Sequence, residues 1–315
     1  MWKKIFYNFI LLITLIFNSF ELKSQNGLRF SQYMFNEIIV NPAYTGTKNG
    51  LYANLMYRKQ WTEIEGAPLS RTLAVHTPIK RTNAALGMAL FNDEIGINKD
   101  FGLLVNYAYR INFENLILSL GLQVRFINKS IAWSSLNAVR EGNDPAFSEE
   151  NLSIFSPNFG LGLYMYNEKF YFGASIPRFI SGEIPSGNDL TGVDPKIFTY
   201  YLTGGFLWRM SGKIFVKPAF LTKYTYRTPA QFDLNLYFYF ETKKGTFAIG
   251  SGFHSGDSFI ISVGYQLDKN LEFSYAYDFT TSELSDFAGK TNEIVLSYRI
   301  EFVKKREKII SPRYF

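Results

Sequence analysis

The stretch Glu293-Ile294-Val295-Leu296-Ser297-Tyr298-Arg299-Ile300-Glu301-Phe302 decides the fold. Ile294, Leu296, Tyr298, Ile300 and Phe302 form one apolar set, while Glu293, Ser297, Arg299 and Glu301 share the other set with Val295. Successive side chains point to opposite faces only in an extended strand, so this strand has one oily face and one wet face. The preceding segment repeats the pattern, with Leu271, Phe273, Tyr275, Tyr277 and Phe279 alternating with Glu272, Ser274, Ala276 and Asp278. Phe232, Leu234, Leu236, Phe238 and Phe240 alternate with Gln231, Asp233, Asn235, Tyr237 and Tyr239, and Leu118, Leu120, Leu122 and Val124 alternate with Ser119, Gly121, Gln123 and Arg125. Soluble strands typically run about five or six residues. These runs instead match the roughly 9 to 11 residues with which a tilted strand crosses a bilayer.

Extended over the chain, the alternation predicts about fourteen strands between residues 50 and 302, the first at 50–61, one at 197–210 and the last at 291–302. Tight turns are expected near Lys80-Arg81-Thr82, Phe113-Glu114, Asn167-Glu168, Ser211-Gly212, Lys243-Lys244 and Asp268-Lys269-Asn270. Longer links are expected at 62–68, 93–99, 128–156, 178–196, 225–229, 255–257 and 281–290. Short turns alternating with longer loops, on an even strand count, are the pattern of an outer-membrane barrel. Unpaired strand edges cannot sit in lipid, so the sheet must close. The expected fold is therefore all-β, a transmembrane antiparallel barrel over residues 50–302, with both mature termini on the periplasmic side. Gly102, Gly121, Gly160, Gly162, Gly250 and Gly252 fall on the inner face. They ease curvature on the simpler reading, or admit something close to the wall on the other.

Composition agrees with such a wall. Of 315 residues, 18% are aromatic and only 19% charged, against about a quarter charged in soluble domains. The mean hydropathy of −0.06 is far too polar for a helical membrane bundle. With no cysteine there is no disulfide framework, thiolate metal site or lipid-modified cysteine. Residues 1–24 read as a signal peptide: Trp2-Lys3-Lys4 is a basic start, and Ile5 to Phe17 is an apolar core too short to span a bilayer. The net charge of +6 lies in the two ends, +2 in residues 1–24 and +4 in residues 303–315. A neutral body argues against nucleic acid as a partner. The basic tail, with Lys304, Lys305, Arg306, Lys308 and Arg313, is expected in the periplasm, either solvated or against a periplasmic partner or lipid headgroups.

Residues 25–49 do not alternate, yet they carry Tyr33, Met34, Phe35, Ile38, Ile39, Val40 and Tyr44. That apolar load predicts a plug or periplasmic cap at the barrel mouth. Little in the chain suggests catalysis. The two histidines, His76 and His254, lie on distant strands. His76 is expected to hydrogen-bond inside the barrel or the N-terminal segment, and His254 to be solvated at a loop. Asp257, Asp286 and the Glu149-Glu150 pair offer a cation site only if the outer loops bring them together. Trp61 and Trp208 fit the aromatic girdles that mark barrel interfaces.

Several short runs also carry a family likeness. Phe30-Ser31-Gln32-Tyr33-Met34-Phe35-Asn36 is followed by Asn41-Pro42-Ala43-Tyr44-Thr45-Gly46, Tyr57-Arg58-Lys59-Gln60-Trp61, Gly66-Ala67-Pro68 and Val75-His76-Thr77-Pro78. Tyr277-Asp278-Phe279, Asn292-Glu293-Ile294 and the closing Ser311-Pro312-Arg313-Tyr314-Phe315 follow near the end. Together these resemble the PorP/SprF family over essentially the whole mature chain. Asn292 stands where many relatives have histidine, and Ser311 where they usually have cysteine. The resemblance implies an outer-membrane barrel of the type IX secretion and gliding machinery, not an enzyme and with no cofactor. It implies support for export or surface retention of a secreted partner, often an adhesin, alongside other secretion components and outer-membrane lipid. Tyr33, Phe35, Asn36, Asn41, Pro42, Tyr44, Gly46, Trp61, Pro68, His76 and Glu293 are the motif positions, expected to be structural. The longest loops are the expected recognition surface. Their candidate contacts are Trp133, Asp144, Pro145, Phe147, Pro185 and Asp189. The competing reading is a transport channel for a small, apolar molecule, with the N-terminal segment as its plug.

Overall fold

The computed structural model describes residues 29–132, 152–179, 198–226, 228–267, 270–282 and 285–302. No helix among them is long and apolar enough to cross a membrane. The crossing elements are strands β1 (Leu51–Lys59), β2 (Leu69–Pro78), β3 (Ala84–Ile95), β4 (Asn98–Asn112), β5 (Ile117–Ile131), β6 (Leu152–Tyr166), β7 (Phe170–Ile176), β8 (Thr199–Phe206), β9 (Trp208–Ser211), β10 (Ile214–Thr225), β11 (Gln231–Glu241), β12 (Gly245–His254), β13 (Ser258–Leu267), β14 (Leu271–Thr280) and β15 (Thr291–Ile300).

Each crossing pairs antiparallel with the next, and β15 returns to β1 from Leu51↔Ile300 to Lys59↔Asn292, so the sheet is closed. β8 and β9 are two parts of one crossing, because both pair with β10 in a continuous register, Ala219↔Gly205 and Val216↔Trp208. That makes the fourteen crossings expected from the sequence. The ladder skips Lys217 and Pro218, and Pro218 has no N–H to donate, which accounts for the break at Leu207.

The faces follow the alternation. In β15, Ile294, Leu296, Tyr298 and Ile300 are 41–49% exposed on the lipid side, while Glu293, Val295 and Ser297 are at most 1% exposed on the inside. Asp278, Ser274 and Ala276 face inward from β14 in the same way.

One link is much shorter than expected. β3 and β4 pair out to Ile95↔Asn98, leaving a two-residue turn of Gly96 and Ile97 where a long link over 93–99 was expected. Gly96 takes φ +58°, which such a hairpin turn favours. The β12–β13 link occupies residues 255–257, as expected. The strand ends that flank four long links, 60–68, 132–151, 177–198 and 281–290, still lie at one end of the barrel. The opposite end carries the turns after β2, β4, β6, β9, β11 and β13, together with Gly50 and Ile300.

Candidate functional site: a filled lumen

Residues 29–49 occupy the barrel interior. The segment folds into a 3-10 turn (Tyr33–Phe35), one turn of α-helix (Glu37–Val40) and a second 3-10 turn (Pro42–Tyr44). Asn41 caps that last turn by accepting from the Ala43 N–H at 3.0 Å, and Pro42 enters at a first position, where no N–H is needed. Tyr33, Ile38, Ile39, Ala43 and Tyr44 are buried in a core shared with the inner faces of the strands.

The path runs from the loop end to the turn end. Arg29 donates to Asp257 in the β12–β13 link at 2.9 Å and lies 3.7 Å from Asp233 at the start of β11. Midway, Asn106 of β4 donates to the Ile38 carbonyl, Arg125 of β5 to the Ile39 carbonyl and Ser175 of β7 to the Val40 carbonyl. Near the turn end the Gly46 N–H donates to His76 Nδ1 at 3.1 Å. The segment thus traverses the lumen and does not cap the turn-end mouth. Arg29 and Ile300 lie at opposite ends of the barrel, and the mature termini themselves lie outside the described residues.

The wall makes room by omitting side chains. A Cβ on Gly121 would stand 2.1 Å from the Ala43 nitrogen, and one on Gly162 would stand 2.1 Å from Asn41 Oδ1. At these two positions the glycines admit the segment, which overturns the simpler curvature reading. Gly102 and Gly250 instead face the rings of Phe91 and Tyr237 from their own wall.

A buried ionic cluster fastens the segment near the loop end. Arg58 of β1 pairs with Asp278 of β14 at 2.9 Å and Glu293 of β15 at 3.2 Å, all three at most 2% exposed. The two Glu293 oxygens accept from the Ser31 N–H at 2.7 Å and the Gln32 N–H at 2.8 Å. Ser31 Oγ meets both Asp278 oxygens, at 2.8 and 2.7 Å, and Arg58. Gln32 Oε1 accepts from Ser274 of β14. Two carboxylates against one guanidinium need further donors when buried, and the segment's backbone supplies them.

The other motif positions are distributed as follows. Asn36 donates to Thr72 Oγ1 at 2.6 Å, and Asn41 donates to the Leu163 carbonyl at 3.0 Å. Tyr44 makes edge contacts with His76 and Tyr164, both with ring centroids 5.5 Å apart. Phe35 packs partly buried against the core. Gly46 takes φ +76°, Trp61 takes φ +45°, and the Pro68 carbonyl accepts from the Gln60 N–H. Trp208 is exposed on the outer wall.

His254 departs from expectation. It is buried, and its Nδ1 lies 2.6 Å from Asp233 Oδ1, its register partner across β11 and β12. Its place on the inward parity with Gly250 and Gly252 was the available signal. Asp257 is committed to Arg29, and no cluster of three metal-ligating side chains occurs among the described residues. Sequence reasoning also left Arg58, Asp278, Ser31 and Gln32 without a role. Trp133, Asp144, Pro145, Phe147, Pro185 and Asp189, the Glu149-Glu150 pair, residues 1–24 and the basic tail lie outside the described residues.

Residues 22–298 match the family model described as type IX secretion system membrane protein PorP/SprF. No protein of curated function matches by sequence. Among solved structures, the chain is similar to the CymD monoaromatic hydrocarbon channel, at 14% identity and a TM-score of 0.51, over 85% of this chain and 93% of that one. It is also similar to a Pseudomonas aeruginosa FadL homologue at 9% identity and TM-score 0.48, over 84% and 94%. The P. putida toluene transporter TodX matches at 12% and 0.47, over 85% and 95%. Identities this low speak to the fold alone.

Proposed function

Because the chain belongs to the PorP/SprF family of type IX secretion system membrane proteins, we propose that it is an outer-membrane scaffold that supports export and surface retention of a secreted partner such as an adhesin. One observation carries this reading beyond the family: the lumen is filled along its length by residues 29–49 of the same chain, tied to the wall by hydrogen bonds to a buried ionic cluster and to the inner faces of the strands. A pathway for solute would have to displace that segment and leave Glu293 and Asp278 short of donors.

In this reading the long loops face the cell surface and receive the partner, and the tight turns face the periplasm. A signal peptide over residues 1–24 delivers the chain, and the tail after Phe302 meets periplasmic components or lipid. Two measurements on the full-length protein separate a scaffold from a channel. Affinity purification from detergent-solubilised outer membrane should bring down a large surface protein, and the purified barrel in a planar bilayer should not conduct. Steady single-channel conductance from a barrel that retains no protein partner would refute the proposal.

A further inference from the structure

We infer that the N-terminal segment is the bolt of the barrel's closing seam, so that filling of the lumen and pairing of β1 with β15 form and open as a single cooperative unit.

The seam is the most expensive pairing in the fold. β1 and β15 are the paired strands farthest apart in sequence, with Arg58 and Glu293 partnered across 235 residues, so closing the seam carries the greatest loop-closure entropy and the least local help. It is also where the segment is fastened. The ionic cluster joins the first strand through Arg58, the last through Glu293 and its neighbour through Asp278, and Ser31 and Gln32 touch these in one place. The seam is bridged just below by Asn54 donating to Ser297 Oγ at 2.9 Å. At the far end the segment leaves through Gly50, where an added Cβ would lie 2.0 Å from the Ile300 carbonyl oxygen. Through Ser31 and Gln32 at one end and Gly50 at the other, the segment therefore touches this pair of strands twice, while Arg29 itself reaches Asp257 in the β12–β13 link.

The dependence runs both ways. Without the segment, two buried carboxylates share one guanidinium and lose three donor groups, a penalty concentrated on β1, β14 and β15. Without the seam, the Ser31 and Gln32 N–H groups lose the two oxygens of a single carboxylate. An empty closed barrel and a filled open one are each penalised, leaving closed-and-filled as the populated state. The barrel wall at β5–β6 neither pairs with β1, β14 or β15 nor carries a member of the cluster, and serves as the internal reference.

Native-state hydrogen exchange, read by mass spectrometry on the full-length protein in detergent micelles across a mild denaturant series, tests the coupling. Peptides covering residues 29–36, β1 and β15 should share one opening, with one free energy and one denaturant dependence, before β5 and β6 open. If β1 and β15 exchange only together with β5–β6 while residues 29–36 open on their own, the inference is overturned. Glu293→Gln, which keeps the size and removes the charge, provides a second arm. It should speed exchange at least tenfold at residues 29–36, β1 and β15 alike, and leave β5–β6 unchanged. Acceleration confined to residues 29–36, or spread evenly over the barrel, overturns the coupling as well.

Discussion

Adding one methyl group at Gly121 should separate a barrel that encloses its segment from one that merely lies near it. The Cβ of a Gly121→Ala chain would fall 2.1 Å from the Ala43 nitrogen, 2.4 Å from the Pro42 carbonyl carbon and 2.5 Å from the Ala43 Cα. All three are backbone atoms, so no rotamer change can relieve the overlap, and ordinary contact begins only at about 3.4 Å. The segment must retreat by more than an ångström at a turn capped by Asn41 and held through the Tyr44 ring against Tyr164. Overpacking a close-packed interior typically costs about 1–3 kcal/mol. The overlap here is with main chain, which places the loss at the upper end of that range. Gly264→Ala is the control, because its Cβ would meet Ser274 Oγ at 3.3 Å, a contact a hydroxyl rotor can absorb. Losing glycine freedom in the unfolded chain should leave that variant neutral or more stable by a few tenths of a kcal/mol. The assay is the urea midpoint of the heat-modifiable band on gels, with exchange protection of residues 38–44 read in parallel. Equal midpoints for the two variants, with residues 38–44 still protected in Gly121→Ala, would refute the account of the glycine groove.

Further outcomes follow from the charge clusters and the segment's direction. Arg58→Met leaves Asp278 and Glu293 buried without their cation and should destabilise the folded barrel by about 3–5 kcal/mol in the same urea assay. The triple variant Arg58→Met, Asp278→Asn, Glu293→Gln should recover part of that loss. Asp233→Asn removes the partner of His254 and a contact of Arg29 at the loop end, so it should cost about 1.5–3 kcal/mol and loosen residues 29–31 first in hydrogen exchange. An epitope inserted just before Arg29 should be labelled by antibody on intact cells, because Arg29 sits at Asp257 on the loop side. Labelling only after the outer membrane is permeabilised would reverse the proposed orientation.

Much of the wall was legible because period-2 patterning is a local signal. Ile294, Leu296 and Tyr298 declare the lipid face by themselves, and Glu293 and Asp278 declare an inner face. The patterning does not say which inner residue meets which. That Arg58 lies opposite Glu293 is a matter of register across a seam joining distant parts of the chain. The apolar content of residues 25–49 announced burial, but the direction of travel through the lumen was not encoded locally. It depends on Arg29 finding Asp257 and on Gly46 finding His76. His254 was misjudged because nearness to a loop was weighed above inward parity, and Asp233 across the ladder decides its state. The strand break at Leu207 had a local cause in Pro218, but one on the neighbouring strand, which only pairing reveals.

The groove formed by Gly121, Gly162 and Gly173, against which Asn41, Pro42 and Ala43 lie, has a consequence for inheritance. A methyl group acquired at one of these wall positions is incompatible with the present route of the segment, and a rerouted segment leaves a void behind the glycines. Neither change is tolerated alone, so the three glycines and residues 41–43 should drift as one character among relatives. A chimera carrying the first 49 residues of one relative on the barrel of another will assemble only when the two lineages agree at these positions.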